Sequence, residues 1–181
     1  MLKQGADTDC VSYNRWNDNY NLLLSYVDEV TTGDKTNREG HAAKVYFNSL
    51  FGKNFVRNAD DNINAALNYG YAILLSTFSK EIVNNGYLTQ LGIHHKNEFN
   101  DYNLACDLME PFRSIIDNFV WFNKERELDN DYKMDIINVF NNKYKYNGKS
   151  YVLKDIKYPD ITPDIINKLV WAEYVKPYID D

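Results

Sequence analysis

Long uncharged apolar runs are missing from this 181-residue chain, and none approaches the roughly 18 residues that a membrane-spanning helix requires. The opening Met1-Leu2-Lys3-Gln4-Gly5-Ala6-Asp7 also lacks the hydrophobic stretch of a secretory signal. A soluble, non-secreted protein without membrane contact is expected. Cysteine is scarce, since Cys10 and Cys106 are the only two, and they form no Cys-x-x-Cys or Cys/His zinc pattern. That excludes a disulfide framework and makes a reducing cytoplasm the simplest setting. No Gly-x-Ser-x-Gly elbow, Walker loop or Gly-x-Gly-x-x-Gly fingerprint occurs, so covalent nucleophilic catalysis has no support. Internal repeats and low-complexity linkers are absent too.

Basic charge is in short supply. The net charge is −6, which argues against a general nucleic-acid binder. Its distribution matters more. Residues 31–57 carry five basic side chains against Asp34 and Glu39, whereas residues 58–142 carry six basic against thirteen acidic. Phosphate contacts are therefore expected on the first stretch, from Lys35, Arg38, Lys44 and Arg57, each also readable as a solvated surface charge.

What is present is a globular composition. Hydrophobic residues are 44% of the chain and charged ones 25%, enough for one well-packed domain. Leu22, Leu23, Tyr26, Val27 and Val30 recur at helical spacing and predict a helix over 13–30. Thr36 and Glu39 fit a capping box that starts a second helix, with Ala42, Ala43, Tyr46, Phe47 and Leu50 inward and Gly52 at its end. Asp60 or Asp61 caps a long third helix that Asn84-Asn85-Gly86 terminates. A fourth runs from Phe99 to Phe122 with a kink at Pro111, and a fifth from Met134 to Asn141. Tyr144 to Leu153 alternates around Asn147-Gly148, a hairpin signal. Thr162-Pro163 opens a last helix that Pro177 closes. The expected class is all-α, a bundle of about six helices with a small β-hairpin near 144–153, preceded by an irregular or engineered segment 1–12.

On the fourth helix, Asn103, Asp107, Glu110 and Ser114 share about 60° of arc at 100° per residue. Leu104, Leu108, Met109, Phe112, Ile115, Ile116 and Phe119 take the opposite face. Two carboxylates one turn apart suit a hard divalent cation, although on pattern alone a solvated polar stripe is the better default. His94-His95 precedes this helix and either imidazole could reach the stripe. One imidazole with carboxylates suits Mg²⁺ or Mn²⁺ better than zinc. Glu39 is explained by the capping box or by ligation. Gly40, directly after it in the first helical turn, costs on the order of 1 kcal/mol and asks for compensation by close backbone approach, from a helix or from a phosphate at the helix start. The fifteen tyrosines and three tryptophans are best taken as packing.

Three segments together resemble the CRISPR spacer-acquisition integrase family, most closely its type II branch. They are Thr36-Asn37-Arg38-Glu39-Gly40-His41-Ala42-Ala43-Lys44-Val45-Tyr46-Phe47, Leu91-Gly92-Ile93-His94-His95-Lys96, and Asn103-Leu104-Ala105-Cys106-Asp107-Leu108-Met109-Glu110-Pro111-Phe112-Arg113. The likeness extends from about Leu22 to the C-terminus and implies a helical catalytic domain over 13–181. It implies that Glu39, His95 and Glu110 hold Mg²⁺ or Mn²⁺ as the catalytic metal set, with Asp107 an accessory neighbour. The implied reaction is attack of a DNA 3′ hydroxyl on a phosphodiester of a repeat array, in adaptation of a bacterial, cytoplasmic CRISPR system. Implied partners are double-stranded DNA (spacer precursor and repeat array), a small ferredoxin-like CRISPR-associated protein and, in the full-length family, a second copy. The family's N-terminal β domain is expected to be missing, since nothing before Tyr13 alternates as its strands would. A non-catalytic helical scaffold or DNA-contact fragment is the alternative.

Overall fold

The computed structural model describes residues 18–26, 29, 34, 36–146 and 149–152. It is all-α apart from one two-stranded ribbon. The expected segment 1–12 and the last helix at 162–177 lie outside the described residues. The chain divides into two compact units, 1–59 and 60–181.

In the first unit residues 18–26 are helical, followed by α1, Arg38–Phe51. The expected capping box is replaced. The N-cap is Asn37, with φ of 52°, and Glu39 sits at the second helical position. Asp34 reaches forward instead and accepts from the backbone N–H of Arg38 at 2.7 Å and of Glu39 at 3.0 Å. A carboxylate on the free N–H groups of a helix start satisfies orphan donors and complements the dipole. Gly52, at φ of 104°, ends the helix where a side chain would be strained. Phe47, Phe51 and Phe55 pack together with ring centroids 4.9–6.4 Å apart.

The second unit is organised by α2, Asn62–Asn84. Its N-cap Asp61 accepts from Asn64 N–H at 2.7 Å, as the sequence pattern predicts. Along α2 pack α3, Asn103–Met109, α4, Arg113–Phe122, and α5, Asn130–Val139. Leu67, Leu74, Ile116, Val120, Tyr132 and Ile136 form the dry centre, where each aliphatic side chain stabilises by roughly 1.5–3 kcal/mol. Gly70 lets α4 approach, because a Cβ there would collide with the Ile116 side chain. Beside it the Tyr71 hydroxyl donates to the buried Asp117.

Two boundaries differ from expectation for local reasons. The predicted fourth helix begins at Asn103 rather than Phe99, because Asn97 and Asn100 each accept the backbone N–H two residues on, at 3.0 Å. These Asx turns hold the chain out of helix. Pro111 interrupts it with a 3-10 turn, Glu110–Phe112, separating α3 from α4. The fifth helix starts at Asn130, four residues early, since Asp129 caps it through Tyr132 N–H at 2.7 Å. The hairpin is as expected: β1, Lys143–Tyr146, pairs antiparallel with β2, Lys149–Val152.

Candidate metal centre

The first half of the expected polar stripe, on α3, is no solvated surface. Asn103 is buried, and the Asp107 side chain is only 7% exposed. Both face the loop between α2 and α3 and hold it by its backbone. Asn103 donates to the carbonyls of Gln90 at 3.1 Å and Asn97 at 2.7 Å, while Leu104 N–H donates to Thr89 O at 2.8 Å. The two ends of the loop are thereby fastened to one helix start.

Between those ends Asp107 takes the middle. One carboxylate oxygen, Oδ2, accepts from the N–H of Ile93 at 2.5 Å and of His94 at 3.0 Å. The other, Oδ1, accepts from His95 N–H at 3.0 Å and lies 2.6 Å from His95 Nδ1. Burial pushes the Asp107 carboxyl upward. The hydrogen bond from the His95 ring and those from the backbone of His95, His94 and Ile93 together outweigh it, and the group is held below the ordinary carboxylate value. Gly92 makes this approach possible. A Cβ there would strike the His95 carbonyl and stand 2.8 Å from Asn103 Cβ and 3.0 Å from Asp107 Oδ2.

The His95 side chain is 39% exposed, and its ring meets that of His94 edge-on with centroids 5.7 Å apart. Glu110, three residues beyond Asp107 on the 3-10 turn, is about half exposed and pairs with Arg113 at 3.3 Å. An ion pair in such solvent is worth about 0–1 kcal/mol. Arg113 in turn lies over the Tyr71 ring, 5.2 Å from its centroid.

Of the expected site residues, the second unit brings His95 and Asp107 into direct contact and sets Glu110 one turn further on. Glu39 belongs to the first unit, exposed in the first turn of α1. Among the described residues no three His, Cys, Asp or Glu side chains form a ready metal cage. Within the second unit the donor types, an imidazole fixed at one nitrogen and the half-exposed Glu110 carboxylate, are of the kind a hard cation takes. Of the expected phosphate contacts, Arg38 pairs with Glu29 at 2.9 Å and covers Tyr26, and Arg57 covers Phe47. Lys44 is exposed, and Lys35 lies outside the described residues.

Sequence reasoning missed three supports: Asn103 and Gly92 for the histidine loop, and Asp34 for the start of α1. Gly92 had a visible signal, a glycine directly before the Ile-His-His run.

The sequence profile described as CRISPR associated protein Cas1 matches residues 17–143. The chain belongs to the Cas1 family. It is 44% identical over 95 residues to the CRISPR-associated endonuclease Cas1 of Neisseria meningitidis serogroup C (strain 8013), covering 52% of this chain and 31% of that protein. It is 32% identical over 145 residues to a CRISPR-associated endonuclease Cas1 of Francisella tularensis subsp. novicida (strain U112), covering 70% of this chain and 46% of that one. The chain thus spans about a third to a half of the length of these Cas1 relatives. A solved structure, a casposase bound to integration product, matches with a TM-score of 0.57 at 24% identity, over 79% of this chain and 52% of that chain. At that identity the likeness shows the fold. No described helix is long and apolar enough to cross a membrane.

Proposed function

We propose that this Cas1-family chain carries the catalytic residues of a divalent-metal-dependent DNA integrase and endonuclease that joins DNA 3′ ends into a CRISPR repeat array. The observation that carries the reading is the loop at His95. A whole segment, residues 89–97, is fastened to α3 so that one partly exposed imidazole is held at a defined nitrogen. Such expenditure of buried polar groups on an exposed ring fits a ligand better than a packing residue.

In this reading Glu39, His95 and Glu110 hold Mg²⁺ or Mn²⁺. When bound, the cation supplies Lewis-acid polarisation of a phosphoryl oxygen and offsets charge on the leaving oxygen. The chain's own residues orient the reactants. A DNA 3′ oxygen bonds to phosphorus of the repeat as the bond from phosphorus to the repeat's own 3′ oxygen breaks, so one phosphodiester replaces another and no ATP is consumed. With water as the attacking group the same site cuts DNA. Lys35, Arg38, Lys44 and Arg57 contact phosphates from the first unit. The same family reading includes a small ferredoxin-like partner, a second copy of the full-length protein and a cytoplasmic setting.

Calorimetric titration with Mn²⁺, joined to an assay on labelled branched DNA and a repeat plasmid, tests this. The parent is expected to bind one ion and to join or resolve DNA, and Glu39→Ala, His95→Ala and Glu110→Ala each to lose both by a hundredfold or more. Equal Mn²⁺ binding by the three variants and the parent would overturn it. The second reading, a helical scaffold or DNA-contact fragment without activity, draws on the lack of a three-residue cage among the described residues. DNA binding that is indifferent to Mn²⁺ and to all three substitutions is its signature.

A further inference from the structure

We propose that Asp107 is a positioning residue that locks His95 in its Nδ1–H tautomer, leaving Nε2 with the lone pair. The inference rests on the reading of His95 as a ligand only for its consequence, since the tautomer is a property of the chain alone.

The argument is one of donors and acceptors. An ionised carboxylate has no hydrogen to give, so every group in contact with it must donate. Oδ1 already faces the N–H of His95, and at 2.6 Å the Nδ1 contact on the same oxygen is a short, charge-assisted hydrogen bond. Nδ1 therefore carries the proton. Free imidazole side chains in water prefer the opposite tautomer, with the proton on Nε2, so the contact reverses the intrinsic choice. Water competes poorly for the carboxylate, because the Asp107 side chain is 7% exposed.

The same carboxylate fixes where the ring starts. It binds the backbone N–H of His95 and of the two residues before it, so ring and backbone of one residue are referred to one anchor. A ligand needs both things set: which nitrogen has the lone pair, and where the ring is pinned. Gly92 and Asn103 complete the arrangement by allowing the close approach and tying the loop ends. A carboxylate that only closed the loop would use its two oxygens on the backbone. The additional bond to the ring is what the positioning role requires.

The test is a two-bond proton–nitrogen correlation spectrum of the ¹⁵N-labelled full chain without metal, at about pH 8.5, which also shows directly whether one ring nitrogen or both carry a proton. His41→Gln and His94→Gln assign the signals. In the parent, Nδ1 of His95 is expected at the protonated shift and Nε2 at the unprotonated one. In Asp107→Ala, which removes the acceptor altogether, the pattern is expected to reverse or to average. A parent spectrum with the proton on Nε2 overturns the proposal, and that measurement needs no variant to fold. An Asp107→Ala spectrum unchanged from the parent also overturns it. A parallel Mn²⁺ titration separates the two claims: weakening of ten- to a hundredfold in Asp107→Ala is expected. A parent that shows Nδ1–H and binds no Mn²⁺ supports the lock and overturns the ligand reading instead.

Discussion

Asp34 and Asp107 do the same job at two places and with different thoroughness. Each accepts backbone N–H bonds beside a residue that the family resemblance marks as a metal ligand, Glu39 in one case and His95 in the other. Asp34 offers one oxygen to each of two amides at the start of a helix, in a unit whose α1 buries none of its residues fully. Asp107 serves three amides and a ring from under a loop, almost out of solvent. A helix start can return its amides to water if the cap is lost. The histidine loop has no regular ladder to fall back on, so between its fastened ends its shape depends on one carboxylate.

Removing the two caps should therefore have unequal effects, and that is the sharpest way to break the comparison. Asp107→Ala strands three backbone donors and is expected to cost about 2–4 kcal/mol by urea unfolding, discounting the full penalty because the loop can partly rehydrate. It should also abolish slow amide exchange at Ile93, His94 and His95. Asp34→Ala is expected to cost about 1 kcal/mol, since Asp34 accepts the helix-start amides as an N-cap side chain does. Equal losses, or an Asp107→Ala loop with parental protection, would show that the buried anchor is no stronger than the half-buried one.

Gly92→Ala comes next in size. Its Cβ would meet backbone at the His95 carbonyl as well as the Asn103 side chain and the Asp107 carboxylate. Backbone cannot swing aside, so about 1–3 kcal/mol of destabilisation is expected, with the loop amides shifted in an NMR spectrum. A smaller effect is expected from acid. The folded Asp107 carboxyl is held below its unfolded value, near 3.9. Its contribution is whole above that pH and is lost as pH falls through the lowered value. Loop amide shifts should move below about pH 4 in the parent and stay flat in Asp107→Asn.

The helices were legible because their signals are local. Asp61 before the Ile63, Ala66, Leu67, Gly70 pattern, and the alternation of Lys143–Tyr146 and Lys149–Val152, are each visible within a few residues. The start of the fourth helix was misplaced because Asn97 and Asn100 spend their side chains on turns, a choice that apolar spacing does not register. The candidate site was legible only as a set of residue types. Asp107 and Glu110 look equivalent on a helical wheel, yet one is buried against a loop twelve or more residues earlier and the other is half exposed beside Arg113. Loop folding over a helix face decides that, and no periodicity encodes it. The capping box at Thr36 failed for a related reason: Asp34, with φ of 39°, sits where it can reach two amides first.

Gly40 is the smallest test and the most discriminating, because its sign is opposite to that of Gly92. A Cβ at Gly40 would lie 2.5–3.0 Å from the end of the Asn37 side chain. That side chain is exposed and makes no cap bond, so it can rotate away. Alanine then gains helix propensity of at most about 1 kcal/mol, and Gly40→Ala is expected to raise the unfolding midpoint slightly. The fold thus gives no reason for glycine here. If a DNA phosphate approaches the start of α1, where free N–H groups favour anions, the added methyl stands in its way. Gly40→Ala should then bind branched DNA several-fold more weakly while being the more stable protein. A variant that is more stable and binds equally well would place the phosphate contacts away from the start of α1.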